Sequence, residues 1–323
     1  MTETAGPIVV DLPSTRASLA FPRLVAALRA AFLAGAEVPL RHRHALPGGT
    51  LLLMPAWQGG LAMGVKIVTV YPGNGARGLN AVFSTYLLCN GETGQHLALI
   101  DGNEITGRRT AAASALAGDY LARPEASSLL IVGCGHIAGM MADAWRAVRP
   151  IRKVRIWNIR APGAARLAAR LRGEGIDAEP VADLERAVAE ADIVSCATLS
   201  EAPLVRGAWL RPGTHLDLIG SYKPDMREAD DAAIATARLF IDTDAALAEA
   251  GDITQPIAAG LISRESVQGT LFTLCRGETT GRGNGQEITL FKSVGSAIED
   301  LAAATLVYAD ISRRKAHALE PRG

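Results

Sequence analysis

Residues 127–139 read Ser-Ser-Leu-Leu-Ile-Val-Gly-Cys-Gly-His-Ile-Ala-Gly, and no other stretch restricts the fold as strongly. Its apolar run, 129–132, is too short for a helix and suits a strand buried in a parallel sheet. Gly133, Gly135 and Ala138 then fall at the G-x-G-x-x-G/A spacing. The first glycine allows a tight turn, the second lets backbone approach a pyrophosphate, and the small third residue lets the next helix pack close. The spacing predicts a helix opening near His136 and running through Met140, Ala144 and Val148, its positive N-terminal end turned to the phosphates. Glycines also mark ordinary turns, so the strand before and the helix after are what give the pattern meaning. Gly133, Gly135, His136, Ile137 and Ala138 are therefore the expected dinucleotide-binding residues of the turn.

Beyond residue 126, strand and helix patterns alternate. Strands are expected at 129–132, 154–157, 193–197, 215–219, 239–242 and 288–292, with helices such as 164–172 and 184–191 between them. This is the α/β class: a Rossmann-type doubly wound parallel sheet over 126–296. Residues 1–125 differ. A helix from Phe21 to about Gly35 precedes strands at 50–54, 61–70, 81–89 and 95–101, with turn clusters and no helix between them. They predict a largely antiparallel sheet in an α+β domain. An alanine-rich helix over 105–121, capped by Thr106, leads to a domain boundary marked by Pro124. The final amphipathic helix, from 297 to about 315, is expected to return to the first domain, so that 297–323 completes it.

At 323 residues, 49% hydrophobic and 20% charged, the chain has material for sizeable cores. Lys plus Arg and Asp plus Glu each total 33, so no basic field exists to hold nucleic acid or an anionic membrane. A small molecule is the expected partner. Cys89, Cys134, Cys196 and Cys275 are far apart and form no C-x-x-C, which suggests neither a zinc site nor a disulfide framework. His42 and His44 form an H-x-H without an identifiable third ligand; it reads as polar strand or loop, and no metal is expected. With no apolar run of membrane-spanning length and no signal-peptide pattern, the expected location is cytoplasmic.

An NAD site usually carries Asp or Glu at the end of its second strand to bind the ribose hydroxyls. Here that strand runs into Asn158-Ile159-Arg160. A carboxylate would repel a 2′-phosphate, whereas Arg160 can pair with one and Asn158 can hydrogen-bond to it. NADPH (NADP) is thus expected ahead of NADH. Thr198, at the end of the strand 193–197, stands where backbone and side chain often pass under such a cofactor.

Cations in the first domain stand out by position. Lys66 interrupts the apolar Gly64-Val65-Lys66-Ile67-Val68, where an unpaired buried ammonium is costly, so it is either edge-exposed or at work in a cleft. Arg109 lies in the early turns of the alanine-rich helix, and Arg41 opens Arg41-His42-Arg43-His44. Taken singly, each reads more readily as a surface charge than as a ligand.

Taken together and in order, Gly64-Val65-Lys66-Ile67-Val68, Arg109-Thr110-Ala111-Ala112-Ala113-Ser114, the glycine turn and Leu290-Phe291-Lys292-Ser293-Val294-Gly295-Ser296-Ala297-Ile298-Glu299-Asp300 resemble the ornithine cyclodeaminase/mu-crystallin family over nearly the whole chain. The resemblance implies a homodimer formed by the non-Rossmann domain and an active site in the cleft between domains. It implies that Arg41, Lys66 and Arg109 hold the substrate carboxylate, with the lysine near the reacting nitrogen as well. Thr110, in the same motif as Arg109, is counted with the cofactor-binding residues, and Lys292 and Ser293 line the cleft by resemblance alone. These residue types suit an α-imino acid, whose carboxylate a guanidinium grips through two parallel hydrogen bonds.

Cyclodeaminases of this family carry an aspartate in a Gly-Gly-Asp segment after a strand. Here Gly220-Ser221-Tyr222-Lys223-Pro224-Asp225 occupies that region, with Tyr222 in the aspartate's place and Asp225 three residues on. The resemblance therefore points to the ketimine-reductase branch: NADPH-dependent reduction of Δ1-pyrroline-2-carboxylate or Δ1-piperideine-2-carboxylate to L-proline or L-pipecolate. The alternatives are an ornithine cyclodeaminase, which releases ammonia, and a non-catalytic NADPH-dependent binder of the mu-crystallin kind.

Overall fold

The strand Ala62–Val70 alternates covered and exposed side chains, the period-two mark of a sheet with one face packed. In the computed structural model, which describes residues 6–319, it lies inside a six-stranded sheet. In chain order the strands are β1 (Ile8–Val10), β2 (His42–Leu46), β3 (Gly49–Gln58), β4 (Ala62–Val70), β5 (Val82–Asn90) and β6 (His96–Asp101). Spatially they run β1-β6-β5-β4-β3-β2. β1 pairs parallel with β6, and the remaining pairs are antiparallel, as consecutive strands joined by short turns require. The packed face carries Ala62, Gly64, Lys66 and Val68. Against it lies the C-terminal helix Ala297–Leu319, which buries Ile298, Leu301, Ala304 and Val307. The helix Phe21–Ala34 runs alongside with Leu24, Leu28 and Phe32. Burying each large apolar side chain contributes about 1.5–3 kcal/mol.

This is the first of two units, Met1–Arg109 with Ser296–Gly323; the second is Thr110–Gly295. The boundary falls inside the helix Gly102–Leu121 rather than at Pro124. From Thr110 onward the helix bonds into the second unit: Ser114 Oγ donates to Asp217 at 2.9 Å, and Arg149 Nη2 donates to the Gly118 and Asp119 carbonyls at 2.9 and 2.8 Å. The helix also starts earlier than its alanines suggest. Asp101 caps it, accepting from Glu104 N at 2.7 Å, while Thr106 Oγ1 bonds back to Gly102 O at 2.8 Å within the first turns.

The second unit is built on an eight-stranded sheet, parallel throughout. Its strands are β7 (Ser128–Val132), β8 (Lys153–Trp157), β9 (Ala178–Pro180), β10 (Ile193–Cys196), β11 (His215–Leu218), β12 (Arg238–Ile241), β13 (Val267–Thr270) and β14 (Thr289–Lys292). The order is β13-β12-β14-β11-β10-β7-β8-β9. The chain enters at β7, winds out through β8 and β9, then returns to β10 on the other side. That reversal opens a crevice at the carboxyl ends of β7 and β10, where open α/β sheets bind ligands. Helices Ala161–Gly173 and Leu184–Glu190 stand where the helical patterns fall. Residues 320–323, the end of the segment expected to complete the first domain, lie outside the described residues. Among the described residues no single helix is long and apolar enough to cross a membrane.

Candidate active site

Lys66 is opposed by Met54 on β3 and Tyr86 on β5, so it stands inside the sheet and not on an edge. It is 2% exposed, and its Nζ lies 2.8 Å from Asp300 Oδ2 of the C-terminal helix. Arg109, 5% exposed, donates from Nε to Asp300 Oδ1 at 3.0 Å and from Nη1 to Glu299 Oε2 at 2.8 Å. One carboxylate thus spans an ammonium and a guanidinium, and these bonds use two of the five guanidinium N–H donors. Burial pushes the Lys66 ammonium down to about 8; Asp300 opposes this, while Arg109 and Arg41 add to it. Arg41, half-buried ahead of β2, is therefore close enough for its charge to act at Lys66. Burial alone would lower Arg109, but Asp300 and Glu299 outweigh it and hold the guanidinium charged.

Three residues in this cluster carry no sequence assignment. Glu299 and Asp300 stood only at the end of a motif. Tyr86 carried no mark at all, yet it lies directly across from Lys66, fully buried, with no hydrogen-bond partner for its hydroxyl. Its ring rests on Gly64, where a Cβ would come within 2.5 Å of the hydroxyl oxygen. A glycine two residues before the lysine was the available signal.

In the second unit, Gly133 takes φ +115°, and a Cβ there would approach Ala197 O to 2.6 Å. Gly135 faces open space, with nothing within 4 Å of its Cβ position. Its carbonyl accepts from Gly139 N at 3.0 Å, so the His136, Ile137 and Ala138 amides come before the helical ladder begins. The regular helix is Ala138–Arg146, later than expected at its start and shorter at its end, while Ala138 packs fully buried. An open glycine followed by unladdered amides fits a dinucleotide pyrophosphate. At the end of β8, Asn158 Nδ2 donates to Arg160 O at 3.0 Å, and Arg160 is exposed just before the helix Ala161–Gly173. Thr110 is 7% exposed, inside the helix Gly102–Leu121.

Thr198 is held from behind. Its Oγ1 donates to Glu228 Oε1 at 2.8 Å and its N to the same atom at 2.7 Å, while its Cγ2 lies 3.3 Å from the Cβ position of Gly133. Burial raises Glu228 to about 7, against the pull of Lys292. Lys292 is fully buried with Nζ 3.3 Å from Asp252 Oδ2, and Ser293 N donates to Leu218 O at 3.1 Å. Tyr222 and Asp225 are both exposed. His42 and His44 are exposed on β2, an edge strand, and no group of three metal-ligating side chains occurs among the described residues.

The chain is similar to known proteins over most of its length. The model of the ornithine cyclodeaminase/mu-crystallin family matches residues 15–315. The Δ1-pyrroline-2-carboxylate reductase of Paracoccus denitrificans is 44% identical over 263 residues, 81% of this chain and 83% of that protein. The structure of Thermococcus litoralis Δ1-pyrroline-2-carboxylate reductase with NADH and L-proline matches at TM-score 0.90 and 33% identity, over 95% of this chain and 98% of that one. An archaeal alanine dehydrogenase dimer with bound NAD matches at TM-score 0.90 and 30% identity, over 96% and 97%.

Asp300→Asn leaves two buried cations without their shared counter-charge. It is expected to cost roughly 3–5 kcal/mol of stability, read by urea unfolding. A loss below about 1 kcal/mol, the range of an exposed pair, contradicts the buried-cluster geometry.

Proposed function

Because the chain belongs to the ornithine cyclodeaminase/mu-crystallin family, we propose that it reduces a cyclic α-imino acid, Δ1-pyrroline-2-carboxylate or its six-membered homologue Δ1-piperideine-2-carboxylate, with NADPH. It is an NAD(P)H-dependent oxidoreductase acting on C=N bonds. The observation that carries the reading is the Lys66–Asp300–Arg109 cluster, two cations fixed side by side by one carboxylate. A substrate carboxylate docks on the remaining guanidinium donors, which fixes the plane of the ring. The reduced cofactor, when bound, supplies a hydride to the imine carbon. Lys66, with its pKa held near 8, keeps the imine nitrogen protonated, so that when hydride adds to the carbon the C=N electron pair becomes the lone pair of the neutral ring amine. The Tyr222 position offers no carboxylate for removing an amine proton, which disfavours ornithine cyclodeamination.

The NADPH preference rests on exposed Arg160 and half-buried Asn158 in place of a ribose-binding acid. A homodimer is proposed from the uncovered face of the first sheet. Met63, Ile67 and Phe83 are 38%, 40% and 44% exposed there, with Leu53 and Trp57 opposite Ile67 and Met63. An apolar sheet face of this kind marks a protein interface, and the alanine dehydrogenase above is a dimer. A cytoplasmic location is proposed with it.

NADPH oxidation with both cyclic imines is expected, faster than with NADH, and Arg160→Asp reverses the cofactor order. Ammonia release from L-ornithine without net NADPH change, or NADPH binding without imine turnover, contradicts the reading. Neutral Lys66 no longer attracts an anion, so the KM for the imine rises as pH passes upward through about 8. Lys66→Arg, if active, abolishes that rise, and a KM that stays flat for the native chain removes Lys66 from the grip. Sedimentation of the native chain at twice 33.8 kDa, and of Ile67→Glu at the single-chain mass, tests the interface; an Ile67→Glu dimer places it elsewhere.

A further inference from the structure

The loops after β10 and β11 leave the carboxyl ends of adjacent strands, beside the crevice where β7 ends. They are pressed together backbone to backbone. A Cβ on Gly220 would lie 1.8 Å from Thr198 O and 2.5 Å from Thr198 N, so no larger residue permits the contact. One carboxylate closes it. Glu228, fully buried, accepts at Oε1 from Thr198 N and Thr198 Oγ1 at 2.7 and 2.8 Å, and at Oε2 from Gly220 N and Ser221 N at 2.7 and 3.3 Å. Four donors from two loops thus converge on a single side chain.

Glu228 is itself anchored. Its N donates to Asp252 Oδ1 at 2.8 Å, and its carbonyl accepts from Leu204 and Val205 N at 2.9 and 3.0 Å. Lys292 Nζ stands 3.9 Å from Oε2. On the other side of Thr198 lies the glycine turn. Thr198 Cγ2 comes 3.3 Å from the Cβ position of Gly133, and Ala197 O comes 2.6 Å from it. Any shift of the Thr198 backbone therefore moves the wall against which Gly133 is folded, and with it the open Gly135 and the amides that follow.

We propose that Glu228 is a positioning residue for the dinucleotide: it fixes Ala197 and Thr198 as the wall of the glycine turn. It does so through four hydrogen bonds to the loops beside it. The inference rests on the dinucleotide reading of that turn and not on the identity of the imine. Above pH 7, where Glu228 is ionised, its carboxylate accepts at both oxygens, whereas an amide has one acceptor oxygen and turns donors toward the other loop. Glu228→Gln thus keeps the volume and releases one loop.

The test is a fluorescence titration of the purified chain with NADPH, NADH in parallel, with KM values and thermal melts of the same preparations. Glu228→Gln is expected to raise the NADPH Kd about 10-fold or more, the loss of charge-assisted bonds, with the imine KM at saturating NADPH within about 2-fold. Asp217→Asn is the control. That carboxyl is equally buried, bonded to Ser114 and Ser195 and to neither loop, so its melting temperature falls while its NADPH Kd does not change. Glu228→Asp keeps the charge on a shorter stem and is expected between native and Gln, which keeps the test available if Glu228→Gln does not fold. A native Kd in Glu228→Gln or Glu228→Asp, or an equal weakening in Asp217→Asn, overturns the proposal. Failure to turn over either imine with NADPH binding intact counts against the reaction proposed above and leaves this inference standing.

Discussion

Asp300 grips Lys66 with one oxygen and Arg109 with the other, and the first unit is arranged so that this can happen away from water. Two buried cations are tolerable only when their counter-charges are supplied at hydrogen-bonding range. β4 turns Lys66 to its packed face by strict alternation, and the helix after β6 carries Arg109. The carboxylates come from the far end of the chain, 191 residues from Arg109. That separation explains why a C-terminal helix must return to an N-terminal sheet. The cluster also sets the lysine's chemistry. Burial lowers it and Asp300 opposes that fall, leaving a value near 8, where gain and loss of a proton are both accessible.

The second unit uses carboxylates in the opposite sense, as collectors of backbone donors. Asp242 Oδ2 accepts from Val294 N and Gly295 N at 2.8 and 2.7 Å, and Asp192 accepts from Ser127 N and Ser128 N at 3.0 Å. Glu228 and Asp252 do the same at the loops beside the glycine turn. Strand-end loops leave the sheet's hydrogen-bond ladder with orphaned amides, and a buried carboxylate satisfies several of them at once. The first unit sets its buried anions against buried cations, whereas the second spends its buried anions on its own backbone.

What could be read from sequence follows the range of the physics involved. The glycine turn and the buried strands of both sheets carry their signal within a few residues, and β7, β8, β10, β11, β12 and β14 fall within a residue of their apolar runs. β1, β9 and β13 are only three or four residues long, and every side chain of β2 is exposed, so none offered a period to detect. Asp101 was missed as a cap because the alanines drew the helix start inward. The division within the helix Gly102–Leu121 depends on partners such as Asp217 and Arg149, which no local pattern announces. Lys66 and Arg109 stood out as charges among apolar neighbours. Glu228 and Asp252 did not, because 24 residues separate them and only the fold brings them together.

The cluster around Asp300 is claimed as a carboxylate grip, and the most direct measurement of that claim compares L-proline with L-prolinamide by calorimetry in the presence of NADP. The two ligands share ring and nitrogen and differ in the anion. L-Proline is expected to bind at least ~10-fold more tightly, the difference between a charge-assisted bidentate pair and a neutral one. Equal affinities would mean that Lys66 and Arg109 do not hold the ligand's carboxylate.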